Sequence, residues 1–356
     1  MLGWICGSLA LTYSAGTLYG WLARGLTTGP YPSPDDAERE MAELAQRRPE
    51  ICAGEEIGRS TEGRPIHAFR LRGVHAGEPA APRPQLLVTA HIHAVEYIGS
   101  FVARALARRL VDGYERIESI TTLLDGADVW MVPLLNPDGA ARIWRRGGWG
   151  RLGRARFTAT GVDPNRNFPF VPTAGRAGWN SGSTTPGSPY YRGPQPLSEP
   201  ECLALARLCA RQRFCAAINF HSFGGVVFMP QVLGPDADKA ARVLAVFRDT
   251  FPSRQRHVRY RPISERSAKV IGQLDPFLLH AFGTPSVTIE VSRLGAHVLA
   301  PWRTFNIFWW ANPARPERWV DNDAAAAIDA LLALRDRSGG TPCIPAHPEL
   351  AEQVPR

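Results

Sequence analysis

The fold is decided by Thr89-Ala90-His91-Ile92-His93-Ala94-Val95-Glu96-Tyr97, a stretch that joins a strand to a helix. A short β-prone run, residues 85–90, ends at Ala90 so that His93 follows the end of a strand, and a helical pattern of apolar residues begins after Glu96. A second β-prone run, residues 216–220, is followed directly by His221. Ligands of open α/β sheets bind outside the carboxyl ends of the strands, so the sequence predicts that His93, Glu96 and His221 meet there.

These three side chains have the composition of a catalytic zinc site. Two imidazoles and one carboxylate serve as the protein ligands in several such sites, where a fourth position stays open for water, whereas a structural site takes four protein ligands. We therefore predict one Zn²⁺ per chain, bound by His93, Glu96 and His221. His91 projects from the same strand face as His93 but lacks the three-residue spacing to Glu96, so we interpret it as a packing or supporting residue.

Further motifs make the chain resemble the M14 family of zinc metallocarboxypeptidases, the carboxypeptidase A-like peptidases. Ile92-His93-Ala94-Val95-Glu96 is similar to the family's first metal motif. Six later motifs follow in chain order: Asn136-Pro137-Asp138-Gly139, Arg142-Ile143-Trp144-Arg145, Gly161-Val162-Asp163-Pro164-Asn165-Arg166-Asn167-Phe168, Tyr191-Arg192-Gly193 together with Ser198-Glu199-Pro200-Glu201, the strand with His221, and Thr288-Ile289-Glu290. Because seven motifs occur in the family's order, the resemblance extends over roughly residues 31 to 335.

The resemblance implies a role for each matching residue beyond the metal ligands. Glu290 would take a proton from the attacking water and pass one to the leaving amine. Arg145 would stabilise the oxyanion that develops on the substrate. Asn165 and Arg166 would bind the terminal carboxylate of the substrate, which a guanidinium can grip with two parallel hydrogen bonds. The implied substrate is the C-terminus of a peptide or protein.

Two of these assignments have an ordinary structural alternative. Glu290 would be a simple surface carboxylate if its strand were half-exposed, because a carboxylate is costly to bury without a partner. Arg145 lies close to Arg142 and Arg146, and the three would form a solvated basic loop if the register of the motif were shifted. The interval between Asn136-Pro137-Asp138-Gly139 and Arg145 is shorter than the pancreatic members of the family lead us to expect.

The chain departs from the family pattern in three places. Residues 264–279 contain no tyrosine, although the family's substrate-capping tyrosine is expected there, and Tyr260 lies further upstream. Val95 replaces the arginine usually found inside the metal motif. The pocket for the terminal side chain is expected near residue 274. An apolar side chain is favoured if Leu274 forms its base, and a basic one if Asp275 does.

The remaining pattern predicts an α/β fold. Predicted helices begin near residue 33 and cover residues 199–213, 239–251 and 323–334, and predicted strands cover 65–72, 85–90, 129–135 and 216–220. Such alternation indicates a central sheet with helices on both faces. The resemblance adds a single domain with a mixed, twisted sheet. The Gly- and Pro-rich segment 147–197 carries Asn165 and Arg166, and we interpret it as a wall of the active site.

Three segments are expected along the chain: an apolar segment over residues 1–30, the catalytic domain over 31–338 and a poorly ordered Pro-rich tail over 339–356. Trp4 to Leu22 is apolar enough for a signal or membrane segment, but it lacks a basic flank and a clear cleavage site. Export, membrane attachment and a cytoplasmic location therefore all remain open. The six cysteines suit buried thiols better than a metal cluster or a disulfide framework.

The net charge of +8 narrows the possible partners. The sequence has no recognisable nucleic-acid module, so we expect no nucleic-acid partner. A basic surface instead attracts carboxylate-bearing substrates or anionic envelope polymers. The oligomeric state is not specified.

Three functions remain. The leading one is a zinc metallocarboxypeptidase that hydrolyses C-terminal peptide bonds with zinc-activated water. A zinc-dependent N-acyl amino acid deacylase or cell-wall peptide amidase would share the metal ligands and the Asn-Arg pair, but the segments Arg142–Arg145 and Tyr191–Glu201 argue against it. A non-catalytic zinc-binding protein is the third, and it has no need to keep Glu290 or Arg145.

Overall fold

A computed structural model of the chain describes residues 28–75, 83–149, 154–170, 181–264, 270–294 and 306–355, together with residues 15 and 303. The candidate signal or membrane segment, Trp4 to Leu22, falls outside these residues apart from one position. Within the described ranges, no helix is both long enough and apolar enough to cross a bilayer.

Eight strands form one sheet: β1 (Cys52–Arg59), β2 (Pro65–Leu71), β3 (Gln85–Ala90), β4 (Asp128–Val132), β5 (Ala216–Ser222), β6 (Val226–Met229), β7 (Arg261–Ser264) and β8 (Ser286–Val291). Their order in the sheet is β1-β2-β4-β3-β5-β8-β6-β7. The four central strands, β4, β3, β5 and β8, run parallel. Antiparallel pairs at both sides make the sheet mixed, as predicted.

The helices of the described residues are α1 (Pro34–Arg47), α2 (Tyr97–Gly113), α3 (Glu118–Gly126), α4 (Pro137–Arg145), α5 (Pro200–Gln212), α6 (Ala237–Arg254), α7 (Leu274–Phe282), α8 (Phe308–Ala311), α9 (Glu317–Arg337) and α10 (Glu349–Glu352). The predicted start of α1 is confirmed. The side chain of Ser33 accepts a hydrogen bond from Asp36 N at 3.0 Å, and Pro34 occupies the first turn, where its missing N–H has no cost.

Alternate residues of the central strands pack into two cores on opposite faces of the sheet. Leu86 and Val88 of β3 lie in the larger core with α2, α6 and α9, whereas Leu87 lies in the smaller core with α5 and α7. Burial of one such side chain stabilises the fold by about 1.5–3 kcal/mol. Helices therefore cover both faces, which confirms the predicted α/β architecture. The cysteines of the described residues are buried free thiols: Cys52, Cys202, Cys209, Cys215 and Cys343.

The C-terminal tail packs against α7, whereas its Pro-rich composition predicted poor order. Cys343 N donates to Gly283 O at 2.7 Å, and His347 N donates to His280 O at 2.9 Å. Leu350 of α10 is 3% exposed and belongs to the smaller core. These backbone bonds and the burial of Leu350 hold the tail in place, and composition alone did not indicate either.

Candidate metal centre and substrate cleft

Three donor side chains converge at the carboxyl ends of β3 and β5. His93 lies in the turn after β3, Glu96 immediately precedes α2, and His221 is the penultimate residue of β5. The parallel register that places Ala90 beside Phe220 brings the two histidines together. Their ring centroids are 4.8 Å apart. The structure thus brings the three residues predicted as metal ligands to one place.

The donor atoms of this group face one another. His93 Nδ1 lies 2.8 Å from Glu96 Oε1, and His221 Nδ1 lies 3.0 Å from Glu96 Oε2. One ligand atom from each residue can be chosen so that all lie within 4.8 Å of one another. All three side chains are buried. Burial alone would raise the pKa of Glu96, but the two imidazoles outweigh this effect and lower it. The donor set fits zinc in type and number.

The far side of His93 is held by a second carboxylate. His93 Nε2 lies 3.3 Å from Asp163 Oδ1, and Asp163 is fully buried. A carboxylate on the far ring nitrogen orients a metal-binding imidazole and raises its basicity. Asp163 lies within the Asp-Pro-Asn-Arg-Asn run noted in the sequence, where we assigned it no role. The rule that ligating histidines have such a partner is the signal that could have found it.

Asn312, far along the chain, holds the backbone on both sides of Glu96. Its Oδ1 accepts a hydrogen bond from Ile98 N at 2.8 Å, and its Nδ2 donates to Val95 O at 2.7 Å. Helix α2 has no capping hydrogen bond from the side chain of its own N-cap residue, Glu96. Asn312 takes over this capping and leaves the Glu96 carboxylate directed at the two histidines.

Glu290 borders the same cleft from the neighbouring strand. In β8, Val287, Ile289 and Val291 are fully buried in the larger core, whereas Thr288 and Glu290 line the cleft. Burial raises the pKa of Glu290, and the nearby Glu96 carboxylate raises it further. Thr288 and Glu290 are partly exposed, but the face that they share opens into the cleft that His93, Glu96 and His221 line, so Glu290 does not lie on an open outer surface.

Arg156, and not the predicted Arg145, places its guanidinium group beside the candidate metal ligands. Arg145 is the last residue of α4 and its side chain is exposed to solvent, outside the residues that line the cleft. Arg156 Nη2 lies 2.7 Å from His93 Nε2, and Arg156 Nε lies 3.0 Å from Asp163 Oδ2. Ala94 N donates to Arg156 O at 3.4 Å, so this later arginine lies beside His93, where the motif register had placed Arg145.

The predicted carboxylate clamp lies at the cleft in a short 3₁₀ turn, Pro164–Arg166. Arg166 is 6% exposed, its Nη1 donates to Asn165 O at 2.6 Å, and it lies 4.0 Å from Asp163 Oδ2. Asn165 Oδ1 accepts from Leu274 N at 2.9 Å, which ties the turn to the start of α7. Both side chains therefore border the space in which a substrate would lie.

The two alternatives for the base of the side-chain pocket have different outcomes. Leu274 is 2% exposed and packs in the smaller core, outside the cleft lining. Asp275 lines the cleft, but its carboxylate accepts hydrogen bonds from Asn219 Nδ2, Ser286 Oγ and Thr288 Oγ1. Burial raises the pKa of Asp275, although these donors partly oppose it. Leu274 is therefore not the pocket base, and the carboxylate of Asp275 is committed to the protein.

The cleft has a volume of about 480 Å³. The candidate metal ligands line it, together with apolar side chains such as Phe223, Met229 and Val270. Tyr260, the upstream tyrosine considered as a substrate cap, is not among the lining residues. It is 2% exposed, and its hydroxyl donates to Asp323 Oδ2 at 2.7 Å inside the core.

The buried group of two histidines and one glutamate at the carboxyl edge of the sheet, open to a cleft, has the composition of catalytic zinc sites rather than of structural ones. A sequence model of the zinc carboxypeptidase family, peptidase family M14, matches residues 37–309, and the chain belongs to this family.

Individual relatives agree with this family. Carboxypeptidase A2 of Mus musculus is 29% identical over 209 residues, which are 57% of this chain and 47% of the relative. Metallocarboxypeptidase A of Trichophyton tonsurans is 30% identical over 187 residues, 49% of this chain and 41% of the relative. The chain thus spans about half the length of the curated relatives it matches.

Solved structures show the same fold. Thrombin activatable fibrinolysis inhibitor superposes with a TM-score of 0.68 at 19% identity, over 92% of this chain and 80% of that one. Carboxypeptidase A from Helicoverpa armigera gives a TM-score of 0.67 at 20% identity, over 87% of this chain and 74% of that one.

Proposed function

We propose that the protein is a zinc-dependent carboxypeptidase, which removes single residues from the C-terminus of peptides. One observation carries the proposal. The cleft that contains the His93, Glu96 and His221 donors also contains a carboxylate outside that set, Glu290, and two guanidinium groups. Peptide hydrolysis at a chain end needs these parts together: a metal site, a proton carrier, a group for the oxyanion and a group for the terminal carboxylate.

Zinc bound there would act as a Lewis acid on the scissile carbonyl and would make water more acidic. Glu290 accepts the proton of the attacking water and passes it to the leaving amine. A raised pKa suits this double role, because the carboxyl must hold the proton between the two transfers. Arg156 lies beside His93 and stabilises the negative charge that develops on the carbonyl oxygen.

Arg166 binds the terminal carboxylate of the substrate. Its guanidinium is almost fully buried, so an anion in contact with it is poorly screened by water and is bound more strongly than at the surface. A substrate without a terminal carboxylate leaves this charge without that partner, which favours exopeptidase over endopeptidase activity.

We propose an uncharged terminal side chain for the preferred substrate. Asp275 is the acidic residue that the sequence offered as a partner for a basic side chain, but its oxygens already accept hydrogen bonds from Asn219, Ser286 and Thr288. A lysine or arginine of the substrate would have to break these bonds inside a buried site. Apolar contacts from Met229 and Val270 suit a neutral side chain better.

A C-terminally varied peptide library tests this function. Zinc-loaded protein is incubated with peptides that differ only in the last residue, and the products are read by mass spectrometry. The proposal expects release of single C-terminal residues, fastest when the residue is neutral, and loss of release after chelation of zinc. Internal cleavage, or release that survives chelation, would contradict it.

A further inference from the structure

The ring of Tyr190 lies against both guanidinium groups of the cleft. Arg156 Cζ is 5.5 Å and Arg166 Cζ is 5.4 Å from the ring centroid. Both distances are within the roughly 6 Å over which an aromatic ring attracts a cation. Neither the metal motif nor the sheet supplies this ring, because it comes from the long segment between the 3₁₀ turn and α5.

The backbone around Tyr190 is tied to the same site. Ser183 N donates to Tyr190 O at 2.8 Å, and Asp163 N donates to Tyr191 O at 2.8 Å. Asp163 is the carboxylate that supports His93 and lies close to both guanidinium groups. These backbone hydrogen bonds therefore hold the ring beside the two guanidinium groups that it contacts. A side chain whose position is fixed in this way can restrict the conformations of the side chains packed against it.

The two arginines depend on the ring to different extents. Arg156 Nε is 3.0 Å from Asp163 Oδ2, so an ion pair already holds it. Arg166 Nη1 donates to the neutral carbonyl Asn165 O at 2.6 Å and is 4.0 Å from Asp163 Oδ2, the limit of an ion pair. Two cations close to one carboxylate compete for it, and without the ring Arg166 would be drawn toward Asp163 and away from the substrate.

We propose that Tyr190 is a positioning residue that sets the affinity of the cleft for a terminal carboxylate. Its ring keeps Arg166 turned toward the substrate and separate from the Arg156–Asp163 pair. This inference rests on the proposed carboxypeptidase function and adds a specificity element to it. The ring acts on binding of the substrate, since Arg156 keeps its ion pair with Asp163.

Kinetics of three variants test the inference, with N-benzoyl-Gly-Phe as substrate. Tyr190→Leu removes the aromatic face, Tyr190→Phe keeps it, and Tyr191→Leu is the matched control for damage to the segment. Within the described residues, the ring of Tyr191 contacts neither guanidinium. We expect Tyr190→Leu to raise KM by about 5- to 30-fold, the effect of losing one buried cation–π contact, with kcat within about threefold. Tyr190→Phe should restore KM to within about twofold of wild type. An unchanged KM in Tyr190→Leu, or an equal rise in Tyr191→Leu, overturns the inference.

A binding measurement separates this inference from the proposed function. Calorimetry with N-acetyl-phenylalanine and its amide reads carboxylate affinity without turnover. We expect the free acid to bind wild type and Tyr190→Phe alike, and Tyr190→Leu about 5- to 30-fold more weakly, with no change for the amide. If wild type binds the acid but hydrolyses no peptide, the proposed function fails and the role of Tyr190 stands. If wild type does not distinguish acid from amide, the role of Tyr190 is wrong.

Discussion

Glu290 lies directly opposite His221 on the neighbouring parallel strands β8 and β5. The pairing places a carboxylate outside the metal-binding set beside a candidate metal ligand, at the edge of the sheet where the cleft opens. On the other side of His221, Glu96 contacts its Nδ1. The same histidine therefore lies between a carboxylate suited to bind metal and one suited to carry protons.

Replacing Glu290 by glutamine should greatly lower turnover without loss of bound zinc. Gln keeps the size of the side chain but cannot accept the proton of the attacking water. We expect kcat to fall at least about 10²-fold, the usual effect of removing a general base. Zinc content and the affinity for N-acetyl-phenylalanine should remain those of wild type. A kcat close to wild type in a zinc-loaded Glu290→Gln protein would remove Glu290 from the mechanism.

Substitution of Arg156 and substitution of Arg145 should have different effects on catalysis. Arg156→Ala is expected to lower kcat by roughly 10²- to 10³-fold, because it removes the group beside the developing oxyanion. Arg145→Ala is the matched control and should leave kcat and KM unchanged, since its side chain is exposed and outside the cleft lining. The opposite result would restore the assignment made from the motif register.

Zinc stoichiometry tests the ligand set. Purified wild type should hold one zinc per chain, and His221→Ala should lose most of it, because two protein ligands bind zinc more weakly than three. His91→Asn is the control. This variant should keep its zinc. His91 has φ 59°, a conformation that asparagine tolerates. The Nε2 atom of His91 lies 3.2 Å from Ala94 O, and burial lowers the pKa of His91 to about 4. Retention of full zinc by His221→Ala in metal analysis would refute the assignment.

Glu201 predicts a pH dependence of stability. It is fully buried in the first turn of α5, and burial raises its pKa from an ordinary value of 4.5 to about 7. Between these two values the folded chain binds more protons than the unfolded chain, so the free energy of unfolding should fall as pH rises from 4.5 to 7. The loss should amount to at most about 3 kcal/mol, at about 1.4 kcal/mol per unit of pKa.

Denaturant unfolding of wild type and Glu201→Gln at several pH values measures this effect. The difference between the two proteins should grow in favour of the glutamine variant as pH rises through the window. A difference that is constant with pH would show that the carboxyl does not titrate in this range.

The sequence could predict the centre of the sheet and the metal ligands because their signals are local. The strand Gln85–Ala90, the spacing from His93 to Glu96 and the histidine at the end of β5 can each be seen in a few residues. The outer strands could not be predicted in the same way. β1 carries Gly54, Glu55 and Glu56 at the edge of the sheet, and β6 and β7 are four residues each, too short to show alternation.

The position of the proposed oxyanion group, Arg156, and the order of the tail depend on contacts between residues far apart in the sequence. Six arginines lie from residue 142 to residue 156, and only tertiary contacts with His93 and Ala94 place Arg156 at the site. The ring of Tyr190 gave no local signal, because its role comes from two arginines more than twenty residues away. The tail is ordered because Leu350 is buried against α7, and the Pro-rich sequence around Leu350 does not indicate this burial.

Hydrolysis of a matched pair of peptides, one with a free C-terminal carboxylate and one amidated, tests the central claim most directly. If Arg166 binds the terminal carboxylate, zinc-loaded wild type should cleave the free acid at least about 30-fold faster in kcat/KM, because leaving a buried charge without its partner costs on the order of 2–5 kcal/mol. Arg166→Ala should lose activity on the acid and narrow the gap. Equal cleavage of the two peptides by wild type would contradict a carboxypeptidase that recognises the chain end.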